Sequence, residues 1–226
     1  MRSMPRRRAN LVSAAVRLAR LLGPDQCVLI GGLALGAHGY VRATDDLDFI
    51  SRQPLGATRD RLRTAGIETR LLRGDALEGG FDCLKGEIEG IPFDVLPSLV
   101  SIRWDALLTL EIGGGRLNVV DLDALLQLKF RAGGPQDLLD AARLVLLHPE
   151  SQSRAEELAT AYRARDRFDA WLRDPRIRAQ AREEAEREAR RSSRPTTGAR
   201  PLGVQPSTRN SVTALLARPR LPKKRQ

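Results

Sequence analysis

The chain has 226 residues, enough for one substantial core with a small appendage, and its 42% hydrophobic content is that of an ordinary globular protein. No apolar run approaches the ~20 residues of a membrane span. The formal charge of +10 is unevenly placed: residues 1–189 balance 28 basic against 28 acidic side chains, while residues 190–226 hold ten basic and no acidic ones.

In chain order, residues 1–8 are basic enough to open a signal, but Arg17 and Arg20 break the apolar run that a signal needs. Leu11, Ala14, Ala15, Leu18 and Leu22 instead trace an amphipathic helix over 9–22, in an N-terminal segment 1–24. A strand is expected at 26–30, a short helix at 33–38, a strand at 45–50, a helix at 55–65 and a strand at 67–72. Strands at 81–87 and 91–96 join through Glu89-Gly90, a hairpin signal. A second hairpin, 109–112 with 117–120, flanks Gly113-Gly114-Gly115. Helices follow at 121–132 and at 135–147, the latter with Pro135 in its first turn. A helical region over 151–172 and a charged, solvated helix over 174–191 complete the ordered part. The pattern predicts an α+β fold, a mixed sheet with flanking helices, whose core spans 25–120 and is followed by a helical segment over 121–188. Residues 189–226 are rich in Pro, Ser, Thr, Gly and arginine, and read as a disordered basic tail. Such an arm suits loose, salt-sensitive contact with nucleic acid, or serves only as a solubilising terminus. Cys27 and Cys83 match no metal or redox spacing and read as reduced thiols of a cytoplasmic protein.

Chemistry concentrates in two stretches. In Thr44-Asp45-Asp46-Leu47-Asp48-Phe49, a strand would put Asp46 and Asp48 on one face, ~6.6 Å apart, with Leu47 and Phe49 turned to the core. Paired carboxylates repel unless a cation sits between them, and hard oxygen ligands suit Mg²⁺. Upstream, Gly31-Gly32 lies where a strand turns into a helix, a place where bare backbone N–H groups can cradle phosphate. A third acid, Asp94, interrupts the apolar strand Ile91-Pro92-Phe93-Asp94-Val95-Leu96 on the face opposite Phe93 and Val95. If that strand lies beside the first, a spacing of ~4.8 Å brings Asp94 to the same metals. A phosphate cradle beside metal-binding carboxylates is equipment for phosphoryl or nucleotidyl transfer.

These residues resemble the nucleotidyltransferase superfamily that includes DNA polymerase beta. Its pattern is a Gly-Gly or Gly-Ser pair, an Asp-x-Asp some ten to thirteen residues on, and a third Asp from a later strand. Gly31-Gly32, Asp46-Leu47-Asp48 and Asp94 match it, with thirteen residues between Gly32 and Asp46. The finer texture over 31–49, with Asp121-Leu122-Asp123 and Asp137-Leu138-Leu139-Asp140 further on, is similar to small bacterial nucleotidyltransferases of the abortive-infection toxin type. The resemblance covers residues 26–147 and implies a nucleotidyltransferase-like sheet, two Mg²⁺ ions and an NTP substrate. In that group a lysine on the helix after the sheet contacts the nucleotide's phosphates. Lys129 lies at that place, and it falls on the apolar stripe of Leu122, Leu125 and Leu126 in a chain with only four lysines against 34 arginines. A lysine there either snorkels to the rim or makes a point-charge phosphate contact. Asp137 and Asp140 read as structural, fixing Lys129 or Arg131. His38 reads as a satisfied helix-end residue.

The expected reaction is transfer of NMP from an NTP to an acceptor hydroxyl. Asp46, Asp48 and Asp94 are its metal ligands, Asp94 doubles as base, and Gly31, Gly32, Arg42, Thr44 and Lys129 contact the nucleotide. The resemblance implies RNA, above all tRNA ends, or a protein as acceptor, with a toxin role and an antitoxin as partner. A small-molecule acceptor of the aminoglycoside kind stays open, as does a non-catalytic module that binds nucleotide or RNA.

Overall fold

The computed structural model describes residues 4–74, 80–112 and 114–192. Seven strands, β1 (Cys27–Ile30), β2 (Leu47–Ser51), β3 (Thr69–Leu72), β4 (Cys83–Ile88), β5 (Ile91–Leu96), β6 (Leu108–Ile112) and β7 (Gly115–Val119), form one sheet in the order β3-β4-β5-β2-β1-β7-β6. The pairs β2·β5 and β1·β7 are parallel and the others antiparallel, so the sheet is mixed, as the pattern of strands and helices predicted.

Register sorts the side chains into rows. Leu71, Leu84, Val95, Phe49, Leu29, Val119 and Leu108 stand opposite one another across all seven strands, and from Leu84 to Leu108 each is buried. One residue along, Arg70, Lys85, Asp94, Asp48 and Ile30 form a second row. Successive strand residues face opposite ways, so the apolar row enters the core while the charged row points from the other face. A slip of one residue in any strand would exchange them, which pins the register.

Helices α1 (Met4–Leu22) and α3 (Leu55–Thr64) pack on each other and reach across the sheet from β7 to β3. The apolar stripe of α1 foreseen from its periodicity is buried, from Leu11 through Ala14, Ala15 and Leu18 to Leu22. The short α2 (Gly31–Ala37) follows β1 directly and packs on β1 and β2. After the sheet come α4 (Leu122–Ala132) and α5 (Pro135–Leu147). Asp121 caps α4 by accepting a bond from the Ala124 amide, Gly133 ends it in the left-handed region at φ 64°, and Pro135 starts α5. The hairpin at Glu89-Gly90 has positive φ at both residues, 54° and 76°, which matches the twist of the strands it joins.

Two expectations need correction. The helical region over 151–172 is broken: a 3-10 turn (Pro149–Ser151) leads to α6 (Gln152–Ala161), and α7 (Arg165–Arg173) follows a reversal at Arg163, whose φ is 54°. The turn contains neither Gly nor Pro; it is closed by the Ala164 amide donating to the Ala159 carbonyl at 2.7 Å, and Phe168 of α7 stacks edge-on against Phe130 of α4, with ring centroids 4.9 Å apart. The charged helix α8 (Pro175–Ser192) is docked along one side rather than solvated all round, with Ile177 and Ala181 buried. Arg143 of α5 reaches it through Gln180 and Glu184 and lies over the Tyr40 ring at 4.9 Å. Most of the basic tail, from residue 193 on, and Gly113 of the second hairpin lie outside the described residues. Among the described residues no helix is long and apolar enough to cross a membrane.

Candidate active site

The site begins where β1 runs into α2. Gly31 has a φ of 68°, and a Cβ on it would collide with the Asp48 carboxylate. Only glycine meets both conditions, the backbone angle and the close approach. A Cβ on Gly32 would lie 2.6 Å from the Thr44 hydroxyl oxygen. The Thr44 hydroxyl in turn donates to Asp46 Oδ1 at 2.8 Å. The glycine pair is therefore fitted to the acidic segment side chain by side chain.

Asp46 is exposed just ahead of β2, and Asp48 is half-buried on it between Leu47 and Phe49. Asp48 stands in parallel register with Asp94 of β5. The Asp48 pKa is pushed up from 3.8 to about 6, by burial first and then by the charges of Asp46 and Asp94. Lys129 and Lys85 pull the other way. Asp48 and Asp94 thus share one row of the sheet, with Asp46 just ahead of β2.

Lys85 is the residue that sequence reading missed. It lies directly across from Asp94 in the β4·β5 pair, and its Nζ donates to Asp94 Oδ2 at 2.5 Å, which raises the lysine pKa. The scarcity of lysine that singled out Lys129 applies equally to Lys85, since the other two lysines lie in the tail. The buried Cys83 thiol is pushed up to about 11 by burial and then by the Asp94 carboxylate. Cys27, leading β1, is pushed up to about 12 by burial. Both cysteines are free, as their spacing implied, and stay protonated at neutral pH.

Lys129 is buried rather than snorkelling to the rim. Its buried ammonium pairs with Asp137 at 3.0 Å and Asp140 at 2.8 Å, one turn apart on α5. Asp140 also accepts from Arg42 Nε at 3.1 Å and from Gln136 at 2.8 Å. Arg42 thus clamps the loop that carries Thr44 and Asp46 to the helical segment, and donates to the Ala43 carbonyl besides. His38 donates from Nε2 to the Val120 carbonyl at 2.8 Å and accepts at its own carbonyl from His148; burial lowers its pKa. It is the satisfied helix-end histidine that was expected. Among the described residues no three His, Cys, Asp or Glu side chains already surround one ion position. Lys85 holds Asp94, and Thr44 holds Asp46.

No family model matches the chain. No curated protein matches it either. Solved structures do. A candidate nucleotidyltransferase from Thermotoga maritima is 16% identical over 56% of this chain and 86% of its own, with a TM-score of 0.46. The antibiotic-resistance factor ANT(2'')-Ia is 18% identical over 72% of this chain and 94% of its own, with a TM-score of 0.49. An antigenic nucleotidyltransferase-like protein from Paracoccidioides brasiliensis is 14% identical over 74% of this chain and 94% of its own, with a TM-score of 0.38.

Proposed function

We propose that this protein transfers a nucleotidyl group from a nucleoside triphosphate to an acceptor hydroxyl. The observation that carries the reading is the register of β2 with β5, which sets Asp48 beside Asp94 while Gly31 closes on Asp48 from the other side. These residues fit divalent cations: the donors are hard carboxylate oxygens, and burial and repulsion still outweigh Lys129 and Lys85 at Asp48. When bound by Asp46, Asp48 and Asp94, two Mg²⁺ ions would neutralise the triphosphate and acidify the acceptor hydroxyl.

The chain's own groups account for the rest. Gly31 and Gly32 let the bend close on Asp48 and Thr44, which keeps the N–H groups of the turn beside the acids that would hold the triphosphate's metals. Thr44 orients Asp46. Asp94, released from Lys85, takes the acceptor's proton. The acceptor oxygen then bonds to the α-phosphorus, the bond from that phosphorus to the bridging oxygen breaks, and pyrophosphate leaves. Lys129, close enough to Asp48 to lower its pKa, bears on the departing charge while still paired to Asp137 and Asp140.

The test is label transfer from α-labelled NTPs to total RNA, total protein and aminoglycosides, with the wild type and Asp94→Asn side by side. Loss of this carboxylate should slow transfer by about 10³-fold, or ~4 kcal/mol of barrier, with circular dichroism unchanged. Equal transfer by the two proteins would overturn the assignment.

A further inference from the structure

The charged row of the sheet is ordered along its length. Ile30 and the glycine bend that follows it lie at one end, Asp48 and Asp94 in the middle, and Lys85 and Arg70 at the other end. Adjacent strands are ~4.8 Å apart, so four spacings put Arg70 ~19 Å from Ile30 along the row. A triphosphate held at the glycine bend therefore leaves Lys85 and Arg70 to whatever approaches Asp94 from its far side. That side is open: Arg70 and Lys85 are exposed, and β3 is an edge strand. Glu87, two residues along β4, faces the same way and bounds the cationic pair. Of the four lysines, Lys85 and Lys129 alone lie outside the tail, and both act on the carboxylates.

We infer that Arg70 and Lys85 form a phosphate-binding lane on the acceptor side of the site, and that its ligand is the backbone of an RNA whose terminal hydroxyl reaches Asp94. The inference rests on the nucleotidyl-transfer reading and names its acceptor class. In the free protein Lys85 is paired with Asp94. Once Asp94 takes up other partners, the ammonium is left one strand from the acceptor hydroxyl, with Arg70 one strand further along the same line. Two neighbouring cations suit successive phosphates of a chain. A polycationic aminoglycoside would meet like charge at the same place.

The experiment is binding of a short single-stranded RNA with a free 3′ hydroxyl to the full chain, by fluorescence anisotropy with Mg²⁺ and no NTP, across a salt series. Arg70→Ala should weaken binding about 5-fold and lower the steepness of log affinity against log salt by ~0.7, the value of one phosphate contact on a single strand. Lys85→Met should do the same, and Lys85→Arg should restore the slope. The basic tail is common to every variant, so the differences belong to the lane. Unchanged affinity and slope in both Arg70→Ala and Lys85→Met would overturn the inference. So would label transfer by the wild type to aminoglycoside or protein instead of RNA. Weakened RNA binding by the variants, in a protein whose wild type transfers no label, would retain the lane and reject the transferase.

Discussion

Two carboxylate clusters in this protein are linked by Lys129 and built to opposite plans. Around fully buried Asp140, donors crowd: Lys129 at 2.8 Å, Arg42 Nε at 3.1 Å and Gln136 at 2.8 Å. Around Asp48 they do not. None of the hydrogen bonds among the described residues ends on its carboxylate, and its near neighbours Asp46 and Asp94 carry the same sign. A buried charge without partners costs several kcal/mol, and half-buried Asp48 is left short of the donors that Asp140 has, the contrast on which the proposed metal ligation rests. The matched cluster holds the loop before β2 against the helices; the unmatched one is the proposed site.

Breaking the matched cluster should therefore cost the most stability. Asp140→Ala leaves the Lys129 and Arg42 charges short of a partner in a buried place, a loss of ~4 kcal/mol that calorimetry should show as a fall in Tm of about 10 °C. A fall of only ~1 °C would mean that water or Asp137 satisfies both cations and that the clamp is dispensable. Next comes the seam between glycine bend and acids. Gly31→Ala forces a Cβ into the Asp48 carboxylate at a left-handed backbone position, which should lower the urea midpoint by an amount worth ~2 kcal/mol or more and abolish label transfer. Full activity in that variant would separate the bend from the site.

The unmatched cluster was the more legible of the two in the sequence, because short-range rules govern it. Period-two alternation put Asp48 and Asp94 on the face away from Phe49 and Val95, and Gly31 stands where a side chain would meet Asp48. The matched cluster depends on Arg42 meeting Asp140 across 98 residues, a contact no local pattern carries. Lys129 was noticed for sitting on an apolar stripe, yet its ion pairs arise from how α4 and α5 cross. Lys85 went unnoticed because an exposed lysine on a strand usually marks a solvated face; its meaning lies in the register that sets it opposite Asp94. The reversal at Arg163 was invisible for a similar reason: no Gly, Asn or Pro marks it, and the packing of α7 on α4 that accompanies it is non-local.

The charge deficit at Asp48 can be weighed directly. Because the folded-state pKa is raised from 3.8 to about 6, the folded protein keeps a proton that the unfolded chain has already released in that window. Asp48 thus costs no stability below about pH 4, a growing amount between about pH 4 and pH 6, and its full penalty above. That penalty is at most ~3 kcal/mol, and ~1–2 kcal/mol once partial exposure is discounted. Asp48→Asn should then raise Tm by about 4 °C at neutral pH and by nothing near pH 4, the opposite of what Asp140→Ala does. A Tm lowered at neutral pH would show that the Asp48 charge is satisfied after all.

The smallest effect should come from Thr44, which touches both halves of the seam. Thr44→Val keeps the shape packed against Gly32 and removes the hydroxyl that donates to Asp46 at 2.8 Å. Thr44 is only half-buried and Asp46 is exposed, so losing this bond should change stability by no more than ~0.5 kcal/mol. The reaction should be more sensitive than the fold, because an unanchored carboxylate spends less time where the triphosphate needs it; kcat should fall by about 5-fold with KM for NTP little changed. A rise in KM with kcat intact would move Thr44 from orienting Asp46 to binding the nucleotide itself. A variant equal to the wild type in both constants would mean that Asp46 finds its working position without the hydroxyl, leaving the register of β2 with β5 to do the positioning alone.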